Sequence, residues 1–124
     1  MSAAWERVLA AALRSDDPMA VLRAASADAQ HPPPLRRAFA RATRSEAGVR
    51  MASLLVAKLR FERVMRGSAV ASAWFERDGR SFTEAFRRYH AETPLTAIFP
   101  AAEAAAFLAY CERERLFRVP PTIA

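Results

Sequence analysis

Apolar residues recur along most of this chain at spacings of three and four, the period of an α-helix with one buried face. Trp5, Val8, Leu9, Ala12 and Leu13 form the first such set and predict a helix running from a Ser2 cap to about Arg14. Ser15-Asp16-Asp17-Pro18 breaks the pattern, with Asp17 placed to cap and Pro18 to open a second helix that carries Met19, Val21 and Leu22. Three consecutive prolines, Pro32 to Pro34, predict an extended connector over residues 30–34, or alternatively a ligand for a proline-binding domain. Residues 35–42 read as a basic helix.

The stretch 44–67, RSEAGVRMASLLVAKLRFERVMRG, is the most apolar and the most basic part of the chain. As a helix it spreads Met51, Leu54, Leu55, Leu59, Phe61, Val64 and Met65 around most of its circumference. Ser53, Arg60 and Arg63 mark a narrower polar side. Such a pattern predicts a central helix packed by neighbours on several faces. Thr43-Arg44-Ser45-Glu46 has the spacing of a capping box at its start, and Gly67 is placed to end it in the left-handed conformation. Ser68 then caps a short helix with Val70, Trp74 and Phe75, closed by the turn dipeptide Asp78-Gly79. A second capping box from Ser81 to Glu84 introduces a helix with Phe82, Phe86 and Tyr89 on one face, ended by Thr93-Pro94. Pro100 opens the last helix, with Ala104, Phe107, Leu108 and Cys111 inward, and residues 116–119 are the one candidate strand. The expectation is an all-α single domain over residues 1–119: a helical hairpin (2–29), the proline connector, a main body (35–119) around a central helix of about 44–66, and a tail (120–124).

Composition agrees with that class, since glycine is scarce at 3 and β-branched runs are nearly absent. The one cysteine cannot form an internal disulfide, which fits a reducing compartment. With no run of about 18 apolar residues and no signal-peptide pattern, the chain is expected to be cytoplasmic and not membrane-inserted. Formal charge is +6 and uneven, with nine Arg or Lys against two Glu over residues 35–66. That excess suits an acidic partner, such as nucleic acid, an anionic membrane surface or an acidic peptide or protein, while arginine bias with a merely solvated surface is the plainer reading.

Chemistry-bearing groups are thin. His31 and His90 stand about sixty residues apart with no second His or Cys near either, so no zinc spacing exists. His90 reads as a surface histidine and Cys111 as a small core residue. Phosphate loops, dinucleotide fingerprints and nucleophile elbows are missing from the sequence. The chain is therefore expected not to be an enzyme on its own, to carry no cofactor, and to act by binding. The candidate contacts are Arg60, Arg63 and Arg66 at the end of the central helix, Arg87 and Arg88 further on, and the pair Trp74 and Phe75. Adjacent residues on a helix cannot both point into one core, so either one of that pair is partly exposed or neighbouring helices bury both, which is the plainer reading. Arg66 serves equally as a cation capping helix carbonyls.

Between Phe61 and Leu108 the residues Phe61, Arg66-Gly67, Phe75, Gly79, Phe82, Phe86, Tyr89, Pro94 and Phe107-Leu108 follow one another in a particular order and spacing. In this they resemble a bacterial helical family, often labelled DNA-binding, that accompanies multinuclear non-haem iron-dependent oxidative (MNIO) enzymes in peptide-modification operons. The resemblance covers about 48 of the 124 residues. Where the family usually shows Tyr-Arg-Asn-Asn, this chain has Phe61-Glu62-Arg63-Val64, and its segment between Gly67 and Phe75 is shorter. The resemblance implies a non-catalytic subunit that pairs with the iron enzyme as a heterodimer and helps to capture the leader of a precursor peptide for modification at cysteine. Iron is then expected in the partner enzyme. DNA binding through the arginine-rich face is the alternative, weakened by the lack of a recognition helix with Asn or Gln for base edges.

Overall fold

The computed structural model describes residues 3–117. The chain is all-α: among the described residues there are seven helices, α1 (Ala3–Arg14), α2 (Pro18–Ala27), α3 (Pro33–Thr43), α4 (Glu46–Gly67), α5 (Ala69–Arg77), α6 (Gly79–Glu92) and α7 (Pro100–Arg113), and no strand. The expected Ser2 cap lies outside the described residues. So do Arg118 and Val119 of the candidate strand, while Leu116 and Phe117 are irregular.

Two compact units divide within α4, Met1–Lys58 and Leu59–Ala124. In the first, α1 packs on α2 and α2 on α3. Ala12, Leu22, Ala25 and Phe39 are buried at its centre, and Trp5 stacks on Phe39 with ring centroids 5.1 Å apart. Asp17 caps α2 as its position foretold, accepting from the Ala20 backbone N–H at 3.1 Å. The start of α4 joins this core through Val49, and Ser53 donates to the Leu13 carbonyl at 3.1 Å. The second unit holds the end of α4 with α5, α6 and α7 around an aromatic core of Trp74, Phe82, Phe86, Tyr89, Phe107, Tyr110 and Phe117.

Local physics moves several expected boundaries. Pro33 and Pro34 are not connector but the first turn of α3, where the N–H groups that proline lacks have no helical partner anyway. Thr43 belongs to the end of α3, its hydroxyl donating to the Ala40 carbonyl at 2.6 Å, so it does not cap α4. Asp78 replaces the expected Ser81 cap. It ends α5 and begins α6 at once, its carboxylate accepting from the Ser81 N–H at 3.2 Å, which leaves the Ser81 hydroxyl to accept from the Trp74 indole at 3.3 Å.

Gly67 is correctly placed at the end of α4, but for a different reason: none of the glycines has positive φ among the described residues. A Cβ at Gly67 would run into the Pro100 carbonyl and the Ala104 methyl, so glycine is needed for close approach of α7. Gly48, in contrast, faces open space, with its nearest neighbour, the Ser45 Cβ, 3.9 Å from where a Cβ would sit. Gly67→Ala should therefore cost about 1–3 kcal/mol, whereas Gly48→Ala should stabilise by about 0.5–1 kcal/mol through helix propensity alone. Urea denaturation of the two variants measures both signs.

Candidate partner-binding surface and the buried arginine beneath it

Arg60 was expected on an exposed polar face, and the structure buries it, 1% exposed and among the largest fully buried side chains. A buried guanidinium demands a counter-charge and acceptors for its donors. Both are supplied within the second unit. Arg60 Nε donates to Glu103 Oε2 at 3.0 Å, Nη1 to the Thr93 carbonyl at 2.8 Å and to His90 Nδ1 at 3.3 Å, and Nη2 to the Pro94 carbonyl at 3.1 Å. Its planar head also lies 4.4 Å over the Tyr89 ring.

Glu103 is fully buried on α7, one turn before Phe107 on the same inward face. Its other oxygen accepts from Arg63 Nε and Nη2 at 3.2 and 3.0 Å, and the Tyr89 hydroxyl donates to the oxygen shared with Arg60. Burial alone would push the Glu103 carboxyl up, but the Tyr89 hydrogen bond and the charge and hydrogen bonds of Arg60, with Arg63 beside them, outweigh it and hold the group below the ordinary value. Tyr89 is pushed up to about 12 by burial and by its bond to Glu103, so it stays a donor. His90 is buried, not on the surface as expected. Because an arginine can only donate, Nδ1 of His90 accepts, which places the ring proton on Nε2. Cys111 is a core residue as expected, its thiol pushed up to about 12 by burial, which makes it a poor nucleophile.

The remaining candidates divide. Arg63 is three-quarters covered and spent on Glu103, and Trp74 is core, 3% exposed. Phe75 is the partly exposed member of its pair, edge-on to Phe61 and Phe82 at 5.6 Å each. Arg66 is exposed in the last turn of α4. Arg87 and Arg88 are exposed too, and they engage carboxylates: Arg87 with Glu84 at 3.5 Å, Arg88 with Glu114 at 3.1 Å and Glu92 at 3.8 Å. The predicted residues thus do not make one basic face.

What the arginine cluster does hold is a loop. Thr93 and Pro94, whose carbonyls Arg60 clamps, begin the connection from α6 to α7, and Glu103 stands in the first turn of α7 at its far end. Between them Leu95, Ile98 and Phe99 project outward at 38%, 78% and 73% exposure. Neither part is among the residues expected from the sequence. The signals were Glu103 at four and seven residues before Phe107 and Tyr110, an inward position that no lone carboxylate tolerates, and three large apolar residues in a loop between Pro94 and Pro100.

Among the described residues no group of three His, Cys, Asp or Glu side chains is placed to hold a metal, and no helix is long and apolar enough to cross a membrane. Comparison with protein-family models, curated proteins and solved structures finds no match for this chain.

Arg60→Met leaves Glu103 buried with one cation fewer and takes the guanidinium donors away from the Thr93 and Pro94 carbonyls, the second of which keeps the Thr96 N–H, and should lower stability by about 3 kcal/mol or more, read as a fall in the urea midpoint. Since the folded Glu103 sits below its unfolded value near 4.5, its contribution is complete at neutral pH, fades below that value and is lost as pH falls through the folded one. Stability measured from neutral pH to about pH 3 should therefore drop more steeply for the native chain than for Glu103→Gln, which has no such proton to take up.

Proposed function

We propose that this chain is a non-catalytic partner subunit of a multinuclear iron oxidative enzyme, binding the enzyme as a heterodimer and helping to capture a precursor peptide for cysteine modification. Two things support the reading. One is the resemblance over residues 61–108. The other, which carries most weight, is the loop with Ile98 and Phe99 exposed while its backbone is tied to buried Arg60. Large apolar side chains held outward on a fixed backbone lose little entropy on docking, and aromatic anchors of this kind dominate protein interfaces. Iron and the oxidative chemistry belong to the partner enzyme in this reading.

A nucleic-acid role draws less support. Of the three arginines at the end of α4, Arg60 and Arg63 direct their charge at Glu103, and only Arg66 is exposed. Phosphate binding needs several unengaged cations on one surface.

Co-expression with the iron enzyme and the peptide encoded beside it is the test. The double variant Ile98→Asp/Phe99→Asp should keep its helical circular dichroism yet lose co-purification with the enzyme by about tenfold or more, equivalent to about 1.4 kcal/mol. Equal peptide modification with and without this chain would sink the reading.

A further inference from the structure

Pro33, Arg36, Arg37 and Ala40 follow one another at i, i+3, i+4 and i+7, which puts them on a single face of α3. That face and Ser26, in the last turn of α2, line a pocket of about 290 Å³ within the first unit. Its two walls stand on helices that pack directly on each other. Arg36 is partly buried and its Nε is covered with no acceptor, while Arg37 is exposed. Among the described residues neither guanidinium has a carboxylate within ion-pair distance. The acidic residues nearest in the chain are engaged elsewhere: Asp28 by His31 at 3.6 Å and the Gln30 N–H at 2.9 Å, Glu46 by Arg50 at 3.5 Å and Arg23 at 3.9 Å. Nor do the two arginines serve the end of α2 as capping cations. There the Arg23 carbonyl accepts from the Ser26 hydroxyl at 2.8 Å and the Ala25 carbonyl from the Asp28 N–H at 3.3 Å. A partly dehydrated cation with no counter-charge attracts an anion more strongly than a solvated one, because less water screens it.

The lining selects the occupant. A single guanidinium satisfies a planar carboxylate through two parallel hydrogen bonds, so two of them on one pocket, with no acid beside either, match a dianion. The first turn of α3 adds no backbone donor. Pro33 and Pro34 have none, and the N–H groups of Leu35 and Arg36 both go to the Pro32 carbonyl at 3.0 Å. Recognition therefore rests on side chains, and a tetrahedral phosphoryl group presents enough oxygens for both forks. Pro33 and Ala40 give the pocket an apolar wall that inorganic phosphate alone leaves unused. Arg41, one turn beyond Arg37, does not line it, so the cations make a spot and not the continuous groove that tracks a nucleic-acid backbone. We propose that the pocket between α2 and α3 binds a small organic phosphate monoester, its dianionic phosphoryl group held by Arg36 and Arg37 and its organic group against Pro33 and Ala40. The Ser26 proton is spent on the Arg23 carbonyl, which leaves the Ser26 oxygen to accept from a ligand hydroxyl. The site goes beyond the partner-subunit reading, which rests on residues of the second unit, and either stands without the other.

Phenyl phosphate is the probe, titrated calorimetrically into the full-length chain. It should bind one to one, and about tenfold or more weakly to Arg36→Gln/Arg37→Gln and to Arg37→Gln alone. Arg37 is exposed, so the single variant keeps the native melting curve even if the double one does not. Binding should be unchanged in Arg66→Gln and in Ile98→Asp/Phe99→Asp. Inorganic phosphate and benzoate should each bind about tenfold more weakly than phenyl phosphate, about 1.4 kcal/mol. Acidification through the second phosphate ionisation, near about pH 6, should weaken phenyl phosphate binding, because the ligand loses one of its two charges. No saturable binding at millimolar ligand, or binding indifferent to Arg36 and Arg37, would overturn the proposal. Benzoate binding as tightly would overturn the dianion, and inorganic phosphate binding as tightly would overturn the ester. A single-stranded oligonucleotide that binds more tightly than phenyl phosphate, with a salt dependence of several released counterions, would overturn it in favour of nucleic acid.

Discussion

A single buried ion pair, Arg60 with Glu103, sets the terms on which the second unit folds. Neither charge is tolerable alone in an apolar interior, and each is made tolerable by neighbours that have to be in place: the Tyr89 hydroxyl, His90 Nδ1, Arg63, and the carbonyls of Thr93 and Pro94. Those groups come from α4, α6, the loop after α6, and α7. Hydrophobic contact among phenylalanines is permissive about register, whereas a guanidinium with assigned acceptors is not. The aromatic core supplies most of the driving force for burial, and the polar cluster selects which arrangement of that core is satisfied.

Arg60 holds two consecutive carbonyls at the exit of α6, and in the loop that follows Leu95, Ile98 and Phe99 are exposed. On the first unit the exposure has a different origin, because α4 uses Val49 and Ser53 to pack and turns Met51, Leu54 and Leu55 outward. The described residues thus expose two separate apolar surfaces. Large apolar groups in water raise the free energy of the isolated chain, and a docked partner removes that cost.

Nine cations over residues 35–66 read as a binding surface when counted. Placed in space, two are spent on one buried glutamate and another, Arg50, on Glu46. Arg87 and Arg88, outside that stretch, also face carboxylates. The charge that remains to attract a partner is smaller than the count and lies mostly toward the first unit.

Local signals carried the helices, because capping and proline chemistry act within four residues: Asp17 before Pro18, Ser68 before α5 and Pro100 opening α7 were all legible in the chain, as were the core roles of Phe82, Phe86, Tyr89, Phe107 and Cys111. The helical class followed from periodicity and composition for the same reason. Which side of α4 faces inward was not legible. Periodicity weighs each residue by its own hydrophobicity, and on that scale Arg60 belongs outside and Leu54 inside. Arg60 lies inside because Glu103, forty-three residues later, arrives with Tyr89 and the loop carbonyls to solvate the guanidinium in place of water, and Leu54 lies outside because Val49 and Ser53 take the packed side of α4 in the first unit. Gly67 shows the same division in miniature: its place at a helix end was written in the sequence, and its reason, the approach of Pro100 and Ala104, exists only once α7 has packed.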